Sequence, residues 1–198
     1  MSHSTLTHTQ QTMLGKLLER RGFTAPPLPL PPTHFVVQRK QDVSETSSSK
    51  LVVFYANPTP MAKGGVSVVR TLSQFLQERA VSVAILLCDA VTTGANAMLF
   101  EMRTRREPRQ YVTPLSPKML QYDIFDHVCV PHHRLLSPKE ACSVLVERNL
   151  KLEMLPIIFT HDPMCLYFGG LPGDVFEIIR NRPNVGFHTY YRRVEDAP

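Results

Sequence analysis

The sequence predicts an α/β protein in two parts, and three observations lead there. The first is the run Leu51–Tyr55 (LVVFY), then apolar residues at helical spacing (Val66, Val69, Leu72, Phe75, Leu76), then the continuous apolar run Val81–Leu87. Strand, helix and strand in this order make a parallel unit with a right-handed crossover, and an unbroken apolar strand is typical of one buried on both faces. The second is the density of turn and strand signals from Leu155 to Val194, which reads as a small sheet domain ending in a hairpin. The third is size: 198 residues, 43% of them hydrophobic, are enough for two small domains.

From the start, residues Met1 to Thr12 are polar and are expected to be loose. Met13, Leu14, Leu17 and Leu18 recur at helical spacing, with Gly22 closing the segment. The tract Ala25–Pro32 (APPLPLPP) favours extended polyproline geometry, because proline lacks the N–H that a helix needs. It reads either as a docking peptide for an aromatic groove or as a rigid connector. Gln41–Lys50 is a polar surface loop, and a second loop carries Pro58, Pro60 and Gly64–Gly65. Ser137-Pro138-Lys139-Glu140 is a strong helix start: Ser caps, Pro fits the first turn, and Glu reaches back to close a capping box. That helix is expected to bury Ala141, Val144 and Leu145 and to end near Asn149.

In the C-terminal stretch, Pro156 opens Ile157–Ile158–Phe159, a short buried strand. Asp162–Pro163 starts a helix that Gly169–Gly170 stops. Leu171–Asp174 is a turn, with Gly173 supplying an unusual backbone shape. Val175–Arg180 and Phe187–Val194 are strands around a second turn holding Arg182, Pro183, Asn184 and Gly186.

Taken together, Leu155-Pro156-x-Ile158, Asp162-Pro163, Tyr167-x-Gly169, Gly173-x-Val175, Ile178-x-Arg180, Gly186 and Tyr191-Arg192-x-Val194 form an ordered, gap-free pattern. It resembles the C-terminal domain of the fifth, common subunit of the eukaryotic nuclear RNA polymerases, a family that includes the archaeal counterpart of that subunit. His127, Val130, Pro131 and His133 match that family's H-x-x-V-P-x-H junction, and Arg21-Gly22-Phe23 matches the end of its first helix. The chain departs from the family at Leu166, at Glu177 and at Asn181 to Asn184. The resemblance implies a jaw domain at 1–126, layered α/β and restriction-endonuclease-like. It implies a polymerase-assembly domain at 127–198, small, α+β and with a mixed sheet. It also implies a non-catalytic structural subunit of polymerase I, II or III. Such a subunit docks on the largest subunit beside neighbouring small subunits, lies near downstream duplex DNA, and is not a homo-oligomer. Its place is the nucleus, or the nucleolus if the chain serves polymerase I alone. The Pro-rich tract and the altered surface residues point to a divergent paralogue of that kind.

Two groups are candidates for facing DNA. Thr92, Thr93, Gly94 and Ala95, followed by Asn96, align with the family's T-P-S-A helix start, where N–H groups and the positive dipole end can meet a phosphate. The plain alternative is an ordinary helix cap. Arg103, Arg105, Arg106 and Arg109 are dense enough to neutralise several phosphates, or to line a solvated loop or pair with a neighbouring subunit. The basic excess lies in the first part: fourteen Lys and Arg against nine Asp and Glu up to Asp126, and eight against eight beyond.

No cofactor and no catalytic residue is expected. Neither apolar strand is followed by the D/E-x-K triplet of metal-dependent nucleases, Glu101-Met102-Arg103 being the nearest approach, and no phosphate loop occurs. His127, Cys129, His132, His133, Cys142, His161 and Cys165 lack the paired spacing of a structural zinc site, so no metal is expected. An independent nuclease-fold or zinc-binding nucleic-acid protein is the alternative to the polymerase subunit. The four cysteines suit a reducing compartment, no run is long enough for a membrane span, and the N-terminus lacks a signal pattern.

Overall fold

Thr7 sets the first helix. Its hydroxyl accepts the Gln10 N–H at 3.3 Å while Gln10 returns its side-chain oxygen to the Thr7 N–H at 3.0 Å, closing a capping box. The helix α1 therefore runs His8–Arg20, starting earlier than the polar composition of Met1–Thr12 suggested. Leu14, Leu17 and Leu18 form its fully buried stripe, and Gly22, at φ +82°, turns the chain out of it. This computed structural model describes residues 6–31, 33–39, 50–56, 62–105, 110–182 and 186–196. Most of the Gln41–Lys50 loop, Pro32, Pro58, Pro60, Arg106, Arg109, Pro183 and Asn184 lie outside the described residues.

The chain divides into two compact units, Met1–Tyr122 and Asp123–Pro198. The first holds β1 (His34–Gln38), β2 (Lys50–Tyr55), α2 (Val66–Glu78), β3 (Val83–Leu87), α3 (Thr93–Thr104) and β4 (Tyr111–Leu115). Its sheet has the order β1-β2-β3-β4; β1 is antiparallel to β2, and β2, β3 and β4 are parallel. The expected strand–helix–strand crossover is β2–α2–β3. Val52, Ala84, Leu86 and Val112 pack on α2 through Val69, Leu72 and Leu76, and on α3 through Ala95, Leu99 and Met102. Leu51, Val53 and Ile85 point the other way and are also fully buried, so both faces of the sheet are covered.

Strands β1 and β4 were not legible in the sequence. In β4, Pro114 is tolerated because, among the described residues, β4 is an edge strand with no neighbour on its outer side. Beside it, Gln110 and Ser73 share a buried pair of hydrogen bonds at 2.8 and 3.2 Å, tying the start of β4 to α2.

The second unit holds β5 (His132–Leu135), α4 (Pro138–Glu147), β6 (Ile157–Phe159), α5 (Pro163–Phe168), β7 (Val175–Arg182) and β8 (Gly186–Glu195). Its mixed sheet has the order β5-β7-β8-β6, with β6 parallel to β8 and the other pairs antiparallel. Phe176, Ile178 and Val194 with Ile158 and Cys165 make the core on one face. Val175, Leu136 and Leu155 with Tyr191 and the inner side of α4 make a second cluster on the other. Two expectations need correction. β6 is not a buried strand: Ile158 is 4% exposed, but Ile157 and Phe159 are each 39% exposed, since an edge strand alternates its side chains between core and solvent. Helix α4 buries none of its residues fully; Ala141, Val144 and Leu145 are half-buried because the helix lies over the sheet's rim cluster with its other side in solvent. Asn149, at φ +50°, follows its end.

Candidate functional site

In the N-terminal unit the candidate DNA-facing residues lie on α3. Thr92 is its cap: the hydroxyl accepts the Ala95 N–H at 3.4 Å, and the Thr92 N–H donates to the Gly64 carbonyl at 3.1 Å, which pins the loop after β3. Thr92, Thr93, Gly94 and Asn96 are exposed, whereas Ala95 is fully buried beneath the helix. Ala95 therefore serves the core and cannot offer its side chain to a ligand. A Cβ on Gly94 would come within 3.2 Å of Val66, so the small residue here also lets α3 start close to α2.

Arg103 and Arg105 sit at the opposite end of the same helix, about 15 Å away along its axis. Arg105 is exposed and pairs with Glu101 at 3.0 Å, and Arg103 is half-buried. The fold thus keeps the two candidate groups apart, at opposite ends of one helix. Near this loop Cys88 is buried; loss of solvent pushes its thiol up to about 11, with Asp89 adding to the rise against a hydrogen bond with Gly64, so it stays protonated.

The motif residues of the second unit build its fold from several sides. Asp162 caps α5, accepting the Met164 N–H at 2.8 Å, with Pro163 at the first helical position. Tyr167 is buried, its ring 5.2 Å from that of Phe125. Gly169, at φ +71°, ends α5. At the next residue, Gly170, a Cβ would lie 2.8 Å from Cys165 Sγ and 3.0 Å from the Phe176 ring, so no side chain fits. Gly173 (φ +95°) and Gly186 (φ +78°) supply the two turns. Pro156 accepts the Arg193 N–H at 2.9 Å through its carbonyl, docking β6 on β8.

At the junction, His127 is exposed and accepts the Cys129 N–H at 3.2 Å. His133 is buried against Phe176, and its Nδ1 lies 2.7 Å from the Pro131 carbonyl. A carbonyl only accepts, so Nδ1 carries the proton. Burial lowers the His133 pKa from 6.5, opposed by the Pro131 hydrogen bond and by the Asp162 charge.

Tyr191 and Arg192 fall on opposite faces, as neighbours on a strand must. Tyr191 lies under α4, its hydroxyl 3.4 Å from Glu177 and its ring covered by the Arg148 guanidinium at 4.8 Å. Arg192 donates to the Ile157 carbonyl at 3.3 Å, so it holds β6 within its own unit. Tyr191→Ala is expected to lower stability by about 2 kcal/mol through lost ring packing, and Arg192→Ala by about 1 kcal/mol through one lost hydrogen bond. Urea unfolding of the free protein checks this, and equal shifts would refute the division.

Sequence reasoning missed a charged network. Arg134 on β5 bonds Glu177 on β7 at 2.9 Å and Glu140 at the start of α4 at 2.6 Å, while Glu140 closes the Ser137 capping box. Glu177, which looked like a departure at a partner surface, is engaged inside the domain. The period-2 placement of Arg134 and Glu177 on facing strands was the signal, and only the register could reveal it.

Arg134, then the Ser137 N–H and hydroxyl, hold the Glu140 carboxyl down at about 2. Both lowered groups give stability that is lost as pH falls. For His133 the loss begins below 6.5, where the unfolded chain takes a proton that the folded chain refuses. For Glu140 it runs from 4.5 down to about 2. Melting temperature against pH should show both windows; His133→Gln should flatten the first and Glu140→Gln the second.

Among the described residues, no three His, Cys, Asp or Glu side chains gather closely enough to hold a metal ion. Among them, too, no helix is long and apolar enough to cross a membrane.

Comparison with known proteins concentrates on the second unit. A family model described as RNA polymerase Rpb5, C-terminal domain, matches residues 122–194. The DNA-directed RNA polymerase subunit Rpo5 of Thermococcus kodakarensis is 43% identical over 74 residues, 37% of this chain and 90% of the relative. That of Nitrosopumilus maritimus is 41% identical over 83 residues, 42% of this chain and 100% of the relative. The DNA-directed RNA polymerases I, II, and III subunit RPABC1 of Caenorhabditis briggsae is 28% identical over 151 residues, 76% of this chain and 69% of the relative. The fold and these matches define a two-unit α/β protein whose mixed-sheet half is of the RNA polymerase subunit type. The chain belongs to the Rpb5 family of DNA-directed RNA polymerase subunits.

Proposed function

We propose that the chain is a non-catalytic structural subunit of a nuclear RNA polymerase, with a jaw domain and an assembly domain that divide after Tyr122, four residues before the boundary expected from the sequence. The observation that carries this is the gap-free motif run on the mixed sheet, over which the chain covers 90% of an archaeal Rpo5. In this reading the assembly domain docks on the largest subunit beside neighbouring small subunits, because a relative built almost entirely of this domain is itself named a polymerase subunit. The N-terminal unit, which the match to RPABC1 reaches into, forms part of the jaw near downstream duplex DNA. Thr92, Thr93, Gly94 and Asn96 are its DNA-facing residues, through the Thr93 and Gly94 backbone N–H groups at the start of α3 and through small side chains that position a duplex without reading bases. Arg103 and Arg105 act at the other end of α3. The nucleus is the site of action, and the nucleolus if the chain serves polymerase I. Purification of the tagged native protein tests this: co-purification with the large polymerase subunits is expected. A free protein without them, or one carrying its own metal-dependent nuclease activity, would overturn the reading.

A further inference from the structure

The β7–β8 hairpin outruns the rest of its sheet. Pairing with β5 stops at His132↔Ile179, and pairing with β6 begins at Ile157↔Arg193. Beyond these points Arg180–Arg182 and Gly186–His188 pair only with each other among the described residues. A two-stranded ribbon is marginally stable in water by itself. This one also exposes a large ring, Phe187, at 79%. Arg180, Asn181 and His188 are exposed beside it, and no Asp or Glu occurs between Ile178 and Val194. On one face the Arg180 guanidinium lies 5.9 Å from the Tyr190 ring, on which His188 stacks at 6.2 Å; Phe187 and Asn181 share the other.

We propose that this free end of the hairpin grips an acidic segment of a neighbouring polymerase subunit, with Phe187 as the apolar anchor on one face and Arg180, beside His188, as the basic contact on the other. The proposal rests on the subunit reading above. Two observations choose this occupant. The ribbon is basic without an acidic residue of its own, so it complements acidic protein. Archaeal relatives that amount to this domain alone carry the name of polymerase subunit, so a contact with another subunit has to lie on this domain. A single-stranded nucleic acid would need a ladder of open rings for its bases. Here His188 and Tyr190 already stack on each other, which leaves one open ring. One exposed aromatic amid polar residues is the pattern of an interface anchor.

The test uses polymerase purified through a tag on this chain, with p-benzoylphenylalanine in place of Phe187. Irradiation and mass spectrometry should find a crosslink to another polymerase subunit, with Asp or Glu flanking the crosslinked residue. Arg180→Glu combined with His188→Glu should lower recovery of the large subunits about tenfold, as loss of a charged interface contact does. Arg180→Lys should keep most of the recovery. Val146→Glu, at a residue 74% exposed on α4, should leave recovery unchanged. The charge-reversed free protein should stay folded with a cooperative melt, because Arg180 and His188 are exposed and only their contacts with the Tyr190 ring are lost. A crosslink to nucleic acid, a crosslinked peptide without acidic residues, no crosslink at all, or unchanged recovery after charge reversal would each overturn the proposal. Failure of the unaltered chain to bring down the large subunits is a different result and would overturn the subunit reading itself.

Discussion

Replacing Phe176 by alanine should remove a large share of the stability of the C-terminal unit, about 3–5 kcal/mol. Phe176 is fully buried on the central strand β7. Its ring meets Phe168 of α5 at 5.7 Å and His133 of β5 at 6.3 Å, and it fills the space that Gly170 leaves by having no side chain. The cavity would therefore open where one helix and two strands converge, and the glycine turn cannot close it. A domain of this size holds roughly 4–11 kcal/mol in all, so the loss is comparable with the whole. Hydrogen exchange of the full chain resolves the effect by region. Protection should collapse in α5, β7 and β8 while β2 and β3 keep theirs. Unchanged protection in β7 would show that the ring does not organise this core.

The reason Phe176 could not be singled out beforehand separates what was legible from what was not. Its strand was clear, because Gly173 and Gly186 bracket a β-rich run. Which of Val175, Phe176 and Glu177 faces which cluster depends on register, and that is fixed by partners distant in sequence. The caps were legible for the opposite reason: Ser137, Asp162 and Thr92 act on N–H groups two or three residues away, so the motif contains its own partner. Strand β1 escaped notice because it follows the proline tract and pairs with β2 across residues 40–49, with no turn signal to announce a hairpin. β4 escaped because Pro114 argues against a strand unless its edge position is known. At the candidate site, the sequence offered Thr92–Asn96 and the arginines from Arg103 onward as two separate groups. It could not show that Ala95 turns inward, or that the arginines lie at the far end of the helix.

That geometry shapes the functional prediction of greatest effect, the replacement of Thr92, Thr93 and Asn96 together by aspartate. Within α3 the change is benign. Asp caps a helix as well as Thr does, and negative charge in the first turn suits the positive end of the helix dipole. All three side chains are exposed, so no core contact is lost. The free protein should stay folded, losing only the weak Thr92 hydroxyl bond to the Gly64 carbonyl, and assembly, which the proposal assigns to the other unit, should proceed. Against a phosphate backbone the same three charges are repulsive. On the proposed jaw placement the duplex is held nearby in the assembled enzyme, so weak contacts count through effective concentration, and reversing them matters in proportion. Retention of downstream DNA by a purified polymerase of normal subunit content should fall on tailed duplex templates. It should fall most at low salt, where the added repulsion is least screened. A half-life of the complex unchanged at every salt concentration would leave Thr92 a helix cap and nothing more, and would move any DNA contact of this unit elsewhere on its surface.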